Sequence, residues 1–201
     1  MSNEAPTTTA PLSVADPAPL GLAGFAMTTL LLSFGNANII KESGAITLVL
    51  GLAAFYGGLA QLLAGMWEFK RGNTFGATAF SSFGAFWLSY WWIVNHLSAA
   101  SGDVHQALGL FDIAWAIFTA FMTIAALRTS AAVLAVFVFL TLTFLFLGLG
   151  EFQNSLPAPD SLTKVGGYLG IVTGVLAWYA AAATVINATH KRDVLPTMPR
   201  S

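Results

Sequence analysis

The chain has 201 residues, enough for one domain or two small ones, and its composition narrows the class of protein. Only 8% of the residues are charged, against about 25% in an average soluble domain. Hydrophobic residues make up 56%, and the mean hydropathy is +0.73. So few charges cannot cover a soluble fold, which excludes a water-soluble enzyme and a disordered chain. The formal net charge of -1 excludes a nucleic-acid binder, and the absence of cysteine excludes disulfides and thiolate chemistry.

Long apolar runs predict an all-α integral membrane protein with six transmembrane helices. A bilayer core about 30 Å thick needs about 20 apolar residues in a helix. The six stretches of this kind are Leu20–Ile40, Ala45–Trp67, Phe75–Leu97, Ala107–Leu127, Ala131–Phe152 and Gly166–Ala188. A membrane β-barrel would instead alternate apolar and polar residues over about 10 residues, and these runs do not alternate.

The segments outside these stretches predict the domain limits and the orientation. Residues 1–15, rich in Thr, Ala and Pro, predict a disordered tail, residues 16–190 a single transmembrane domain, and residues 191–201 a short C-terminal tail. An even number of spans puts both termini on one side. Six basic residues fall on that side and two on the other, which favours cytoplasmic termini in a multi-pass protein of the inner or plasma membrane.

Small residues punctuate the predicted helices. Asp16-Pro17 predicts the start of the first helix, and Asn73 predicts an N-cap for the third. Gly166, Gly170 and Gly174 repeat every four residues on one helix face. Such a stripe is typical of close helix packing, although a stripe that lines a solute path would look the same.

Polar residues within the spans are the candidates for chemistry. Hydroxyl groups such as those of Thr28 and Ser82 either bond their own helix carbonyls or form a polar lane through the bundle. Asp112 lies inside the fourth span, where a carboxyl either handles protons or ties two helices together. Glu151 lies near a span end and is the second possible proton site. No catalytic motif and no metal-ligand spacing is present, so we expect neither an enzyme nor a cofactor.

Two motifs carry a family resemblance. The first is Asp16-Pro17-Ala18-Pro19-Leu20-Gly21-Leu22 at the start of the first span. The second runs from Phe55-Tyr56-Gly57-Gly58-Leu59-Ala60-Gln61 on to Trp67-Glu68-Phe69-Lys70-Arg71-Gly72-Asn73-Thr74-Phe75-Gly76. Together they resemble the acetate uptake transporter family, whose signature reads NPAPLGL. The resemblance extends over nearly the whole chain in the number and spacing of the spans.

The resemblance implies a fold and a function. It implies six helices per protomer in a bundle similar to that of urea channels, a homo-oligomer in the form of a hexameric ring, and transport of acetate and related small carboxylates, including succinate. It leaves open whether transport is by a channel or by a proton-coupled carrier. It also implies a hydrophobic constriction, which matches Phe25, Phe83 and, in the fifth span, Leu142.

A solute path follows from the same resemblance together with the polar residues. Its predicted residues are Asp16, Pro19, Leu20, Gly21, Thr28, Thr29, Ser33 and Ser82. Asp16 replaces the signature Asn and adds a negative charge near the cytoplasmic mouth, Phe83 stands where Tyr is frequent, and Asp112 has no expected counterpart.

Three readings of the function remain open at this point. The first is carboxylate transport. The second is a passive channel for a neutral solute such as urea or an amide, which would use a similar apolar slot. The third is a membrane scaffold that transports nothing. The partners expected under the first reading are small carboxylates, membrane lipid and other copies of the chain.

Overall fold

The computed structural model describes residues 14–41, 43–97, 102–153 and 161–199, and helices account for most of them. In chain order these are α1 (Ala18–Asn36), α2 (Ser43–Ala54), a π-helix (Phe55–Ala60), α3 (Gln61–Arg71), α4 (Thr74–His96), α5 (Gly102–Ala126), α6 (Ala131–Phe152) and α7 (Ser161–His190). The π-helix joins α2 to α3 as one continuous helix, so the bundle has six membrane-spanning helices. The predicted all-α membrane fold is confirmed.

Five of these six are long and apolar enough to cross a membrane by length and composition: Ala18–Asn36, Gly44–Arg71, Asp103–Ala126, Ala131–Phe152 and Ser161–His190. The sixth, α4, has 23 residues and therefore spans about 34 Å at 1.5 Å per residue. Its Ser, Gly, Tyr and Trp residues lower its mean hydropathy, and its inner face is buried among the other helices. Helix α7 begins five residues before the predicted start because its polar first turn extends beyond the apolar run.

Side-chain caps fix several helix ends. Asn73 caps α4 as predicted, since its Oδ1 accepts a hydrogen bond from the Gly76 N–H at 3.2 Å. Ser130 caps α6 in the same way through the Val133 N–H, also at 3.2 Å. Helix α1 begins at Ala18, one residue later than Asp16-Pro17 predicts, and the Ala18 N–H still donates to Asp16 Oδ1 at 3.0 Å.

Glycine brings α7 against its neighbours. Helix α1 packs most extensively on α7, and α6 lies between α5 and α7. A Cβ at Gly174 would lie 2.9 Å from the Cβ of Leu30 on α1, closer than real carbon atoms approach. The predicted glycine stripe is thus a packing surface, on which Gly166 faces α6 and Gly170 faces α1.

The π-helix brings backbone close to α1. Its hydrogen bonding is wider than that of an α-helix, because the Gln61 N–H donates to the Tyr56 carbonyl five residues earlier. A Cβ at Gly24 of α1 would lie 2.6 Å from that same carbonyl oxygen. Only a glycine at position 24 allows this approach.

The C-terminal segment is packed rather than simply a tail. The side chain of Asn187 on α7 accepts hydrogen bonds from the N–H groups of Val194 and Leu195 at 2.8 and 2.9 Å, and donates to the Leu195 carbonyl at 2.8 Å. The Ala131 N–H then donates to the Met198 carbonyl at 3.0 Å, which joins this segment to α6. Residues 1–13 of the predicted N-terminal tail lie outside the described residues. We call the end of the bundle that holds Ala18 and His190 the terminal end, and the opposite one the distal end.

Candidate functional site

Two phenylalanines meet inside the bundle, one from α1 and one from α4. The ring centroids of Phe25 and Phe83 are 5.5 Å apart, and the two residues are 4% and 3% exposed. Phe83 also contacts rings from α5 and α6, namely Trp115, Phe118, Phe137 and Phe144. The structure therefore brings these two predicted constriction residues together in an apolar layer.

The third predicted constriction residue has to be corrected. Leu142 is 36% exposed and lines none of the cavities described below, whereas Leu140 is 3% exposed and lines the same cavities as Phe25. Residues two apart on a helix point about 200° away from each other, so both cannot face the interior. Leu140 is the leucine of α6 that closes the layer. The fifth span is apolar on every face, and its sequence offered no motif to fix this choice.

Small cavities lie on either side of the aromatic layer. One of about 20 Å³ is bounded by Phe25, Phe83, Leu140 and Gln61, and another of about 30 Å³ by Phe25, Leu140, Thr29 and Ser33. A single water needs about 10–15 Å³ measured in this way. Each cavity thus has room for one or two waters, and the rings of Phe25 and Phe83 and the side chain of Leu140 lie between the two.

Three polar groups along these cavities are buried without a hydrogen-bond partner among the described residues. They are Thr29 Oγ1, Gln61 Oε1 and Trp87 Nε1, on side chains that are at most 5% exposed. A buried unsatisfied polar group costs about 1–3 kcal/mol unless water or a ligand satisfies it. The arrangement can therefore bind a small molecule that both donates and accepts hydrogen bonds.

Sequence reasoning missed Gln61 and Trp87 as functional candidates. Gln61 is the last residue of the Phe55–Gln61 motif. A polar residue within a motif inside an apolar span was the sequence signal that could have identified Gln61. Trp87 lies four residues after Phe83, on the same face of α4, which was a second available signal.

A larger cavity opens toward the distal end. Its volume is about 260 Å³, and we call it the vestibule. Its polar lining residues come from five helices: Asn36, Tyr90, Asp112, Glu151 and Thr163. It shares Leu32, Asn36, Phe86, Phe144 and Leu147 with the 30 Å³ cavity, so it leads toward the aromatic layer. Both predicted proton sites, Asp112 and Glu151, are thus placed on one cavity.

Glu151 has a partner at the vestibule. His105 Nδ1 lies 2.7 Å from Glu151 Oε2, which joins α5 to α6. His96 stacks on Trp92 at the exposed end of α4 with ring centroids 3.7 Å apart.

A charged network occupies the terminal end. Arg71 forms an ion pair with Asp16 and lies 4.0 Å from Glu68 Oε2. Glu68 is fully buried, and Asn73 Nδ2 donates to its Oε2 at 3.0 Å. The negative charge that Asp16 adds at this mouth is therefore offset by Arg71. The ion pair also joins the first motif to the second.

The other predicted path residues do not reach the cavities. Thr28 is buried, and its hydroxyl donates to the Gly24 carbonyl of its own helix at 2.9 Å. This hydroxyl hydrogen is therefore not available to a solute. Gly21 packs under the Phe80 ring, where a Cβ would lie 2.6 Å from ring carbons. Leu20 is 43% exposed, and Pro19 and Ser82 are half-buried, and all three lie off the cavity linings. Of the hydroxyl residues predicted for the path, Thr29 and Ser33 line a cavity.

Comparison with known proteins agrees with this architecture. Residues 3–200 match the model of the GPR1/FUN34/yaaH family. The chain is 41% identical over 196 residues to acetate permease A of Emericella nidulans and 38% identical over 185 residues to the succinate-acetate/proton symporter SatP of Escherichia coli K12. These alignments cover 90% and 91% of this chain.

The lengths of these relatives differ. The chain spans 65% of the fungal permease and 95% of the bacterial symporter. A solved structure titled as the bacterial acetate channel SatP superposes with a TM-score of 0.82 at 37% identity, covering 92% of this chain and 99% of that one. The chain belongs to the GPR1/FUN34/yaaH family.

Proposed function

We propose that the protein transports acetate and related small carboxylates across the membrane, through the path that runs from the vestibule past Phe25, Phe83 and Leu140. The observation that carries the proposal is the row of cavities on both sides of a closed apolar layer, bordered by buried hydrogen-bonding groups without partners. The names of the relatives, an acetate permease and a succinate-acetate symporter, support the same substrate class.

The path favours a solute that can shed its charge or its water. No Lys or Arg is among the described residues that line the vestibule or the two small cavities. A bare carboxylate would lose its hydration in the aromatic layer without a cation to compensate. The solute therefore crosses as the neutral acid, whose O–H can donate to Gln61 Oε1, or as the carboxylate, with the donors of Thr29 and Trp87 in place of water. Asp112 and Glu151 are the groups of the vestibule that can hand over a proton.

The orientation and assembly follow from charge and exposed surface. The excess of basic residues on the terminal side supports cytoplasmic termini and a vestibule that faces outward. Large apolar side chains such as Leu48, Phe55 and Ile124 are 69–72% exposed in the single chain and contact lipid or a second copy. We infer a homo-oligomeric ring in the inner or plasma membrane, and a hexamer by resemblance.

Uptake by purified protein in liposomes tests the proposal. Labelled acetate should enter, and an inwardly directed proton gradient should accelerate its uptake if the neutral acid or a proton is carried. Labelled urea measured in the same vesicles tests the alternative of a channel for neutral solutes. Urea uptake with no acetate uptake would establish that alternative, and no flux of either solute would favour a scaffold.

A further inference from the structure

The vestibule contains acidic side chains on the route to the aromatic layer. Asp112 of α5 and Glu151 of α6 both line it, with the hydroxyl of Tyr90 and the amide of Asn36 as neutral neighbours. Its volume of about 260 Å³ is far larger than that of either small cavity, so it has room for a small solute with part of its hydration shell. The charge of this lining acts on any solute that enters.

The two acids differ in their surroundings. Glu151 has His105 at 2.7 Å, so its charge is offset whenever that imidazole is protonated. Asp112 takes part in no ion pair or hydrogen bond with any described residue. The neighbouring ionisable groups are Tyr90 of α4 and Glu151 itself.

The other charged groups at the distal end lie off the vestibule lining. Lys41 lines a neighbouring cavity of about 240 Å³ next to α2, which shares Leu32, Asn36 and Tyr90 with the vestibule, and Lys164 follows Thr163 on α7 without lining the vestibule. Asp103 is exposed in the first turn of α5, and His96 is exposed at the end of α4. Asp112 is thus an acid with which no described basic group forms an ion pair.

A second observation indicates a site for a hydrogen-bond acceptor beyond these acids. The vestibule continues into the cavity bordered by Thr29 and Trp87, whose Oγ1 and Nε1 are buried without partners. The indole N–H can only donate, so it requires an acceptor atom such as a carboxyl oxygen. A solute that reaches this donor from the distal end passes Asp112 first.

We propose that Asp112 sets the charge selectivity of the transporter, holding back carboxylates in proportion to their negative charge when it is ionised and admitting them when it is protonated. The inference rests on the proposed function. It narrows the substrate class to monocarboxylates and uncharged acids, with dicarboxylate dianions disfavoured. The ion pair of Asp16 with Arg71 leaves the terminal mouth without a comparable unpaired acid among the described residues.

The charge dependence has a definite form. The Coulomb energy between Asp112 and a solute is proportional to the charge of the solute. If removal of the Asp112 charge raises the occupancy of the vestibule by a monoanion by some factor, it raises the occupancy by a dianion by the square of that factor. In a wet cavity of this width, a factor of about five is expected for a monoanion, and therefore about twenty-five for a dianion. Salt weakens both factors, because the Debye length falls from about 30 Å at 0.01 M to about 3 Å at 1 M.

The test compares Asp112→Asn with the wild type in liposomes at about pH 9, where acetate is a monoanion and succinate a dianion. Flux of acetate should rise about fivefold and that of succinate about twenty-fivefold at low salt, and both gains should shrink at 1 M salt. Flux of labelled acetamide, which is uncharged, should not change. Asp112→Glu should keep the wild-type ratio, and Asp103→Asn, which alters an exposed acid of the same helix, should keep it too.

The outcomes separate the inference from the function. If acetate crosses in both proteins with the same ratio of succinate to acetate flux, Asp112 does not set selectivity and the inference is overturned, while the proposed function stands. Equal gains for acetate, succinate and acetamide would also overturn it, because they would report a wider vestibule rather than a lost charge. Absence of acetate flux in the wild type at any pH would refute the proposed function itself.

Discussion

Replacement of Phe25 by alanine tests whether the aromatic layer selects by size. Truncation of a buried phenylalanine frees on the order of 100 Å³, and this space joins the cavities of about 20 and 30 Å³ that the ring now separates. The result is a continuous space on the order of 150 Å³, and a cavity of that size accommodates benzene. Butyrate has as many non-hydrogen atoms as benzene, so the mutant layer should accept it.

The expected change in selectivity can be stated as a ratio. Each methylene is worth about 1–3 kcal/mol of discrimination in an apolar site, and butyrate has two more than acetate. We expect Phe25→Ala to raise butyrate flux relative to acetate by at least about tenfold. The lost contact with Phe83 and the new space should lower the free energy of unfolding by about 3–5 kcal/mol.

The assay is uptake of labelled acetate and butyrate in separate liposome preparations at equal protein density. The matched control is Phe121→Ala, since that residue is 51% exposed on α5 and lines none of the described cavities. An unchanged ratio of butyrate to acetate in a folded Phe25→Ala protein would refute the assignment of this ring to the constriction. A similar rise in the Phe121 control would show that the effect is not specific to the layer.

Three further predictions concern the scaffold around the path. Gly24→Ala should lower the free energy of unfolding by about 1–3 kcal/mol, because the added methyl would lie 2.6 Å from the Tyr56 carbonyl oxygen. The control is Gly51→Ala, whose methyl would meet no atom within 4 Å and which should not destabilise the protein in the same thermal unfolding measurement. Ser130→Ala should cost about 1 kcal/mol through loss of the α6 cap, and unchanged stability would contradict the cap. Asn187→Ala should release the C-terminal segment, seen as faster amide exchange over residues 191–199, and exchange rates equal to the wild type would show that other contacts hold it.

The sequence predicted the bundle because length and hydropathy suffice for that purpose. Apolar runs of about 20 residues have few alternatives in a membrane, so the six spans were confirmed. Asn73 was also predictable as a cap, since its local bond to Gly76 needs nothing beyond neighbouring residues. Phe25 and Phe83 were placed by motifs that fix their register within two different helices.

The site was less predictable where the register had no anchor. Helix α6 is apolar on all faces, so sequence alone did not distinguish Leu140 from Leu142. The pairing of Asp16 with Arg71 joins residues 55 positions apart, and no local pattern reports it. Glu151 and Asp112 were each singled out, but only the folded chain shows that they share a cavity.

The π-helix is the place in the long second span where one residue can be removed without turning the buried face of either half away from the interior. Val49 and Gln61 are both buried, yet twelve residues of regular α-helix would turn one from the other by about 120°. The wide turn at Phe55–Ala60 takes up one extra residue, which reduces the mismatch to about 20°. Deletion of one residue within this turn would leave a plain α-helix with both halves still facing inward. The same deletion elsewhere in the span would rotate one half by about 100° and expose its polar residues to lipid.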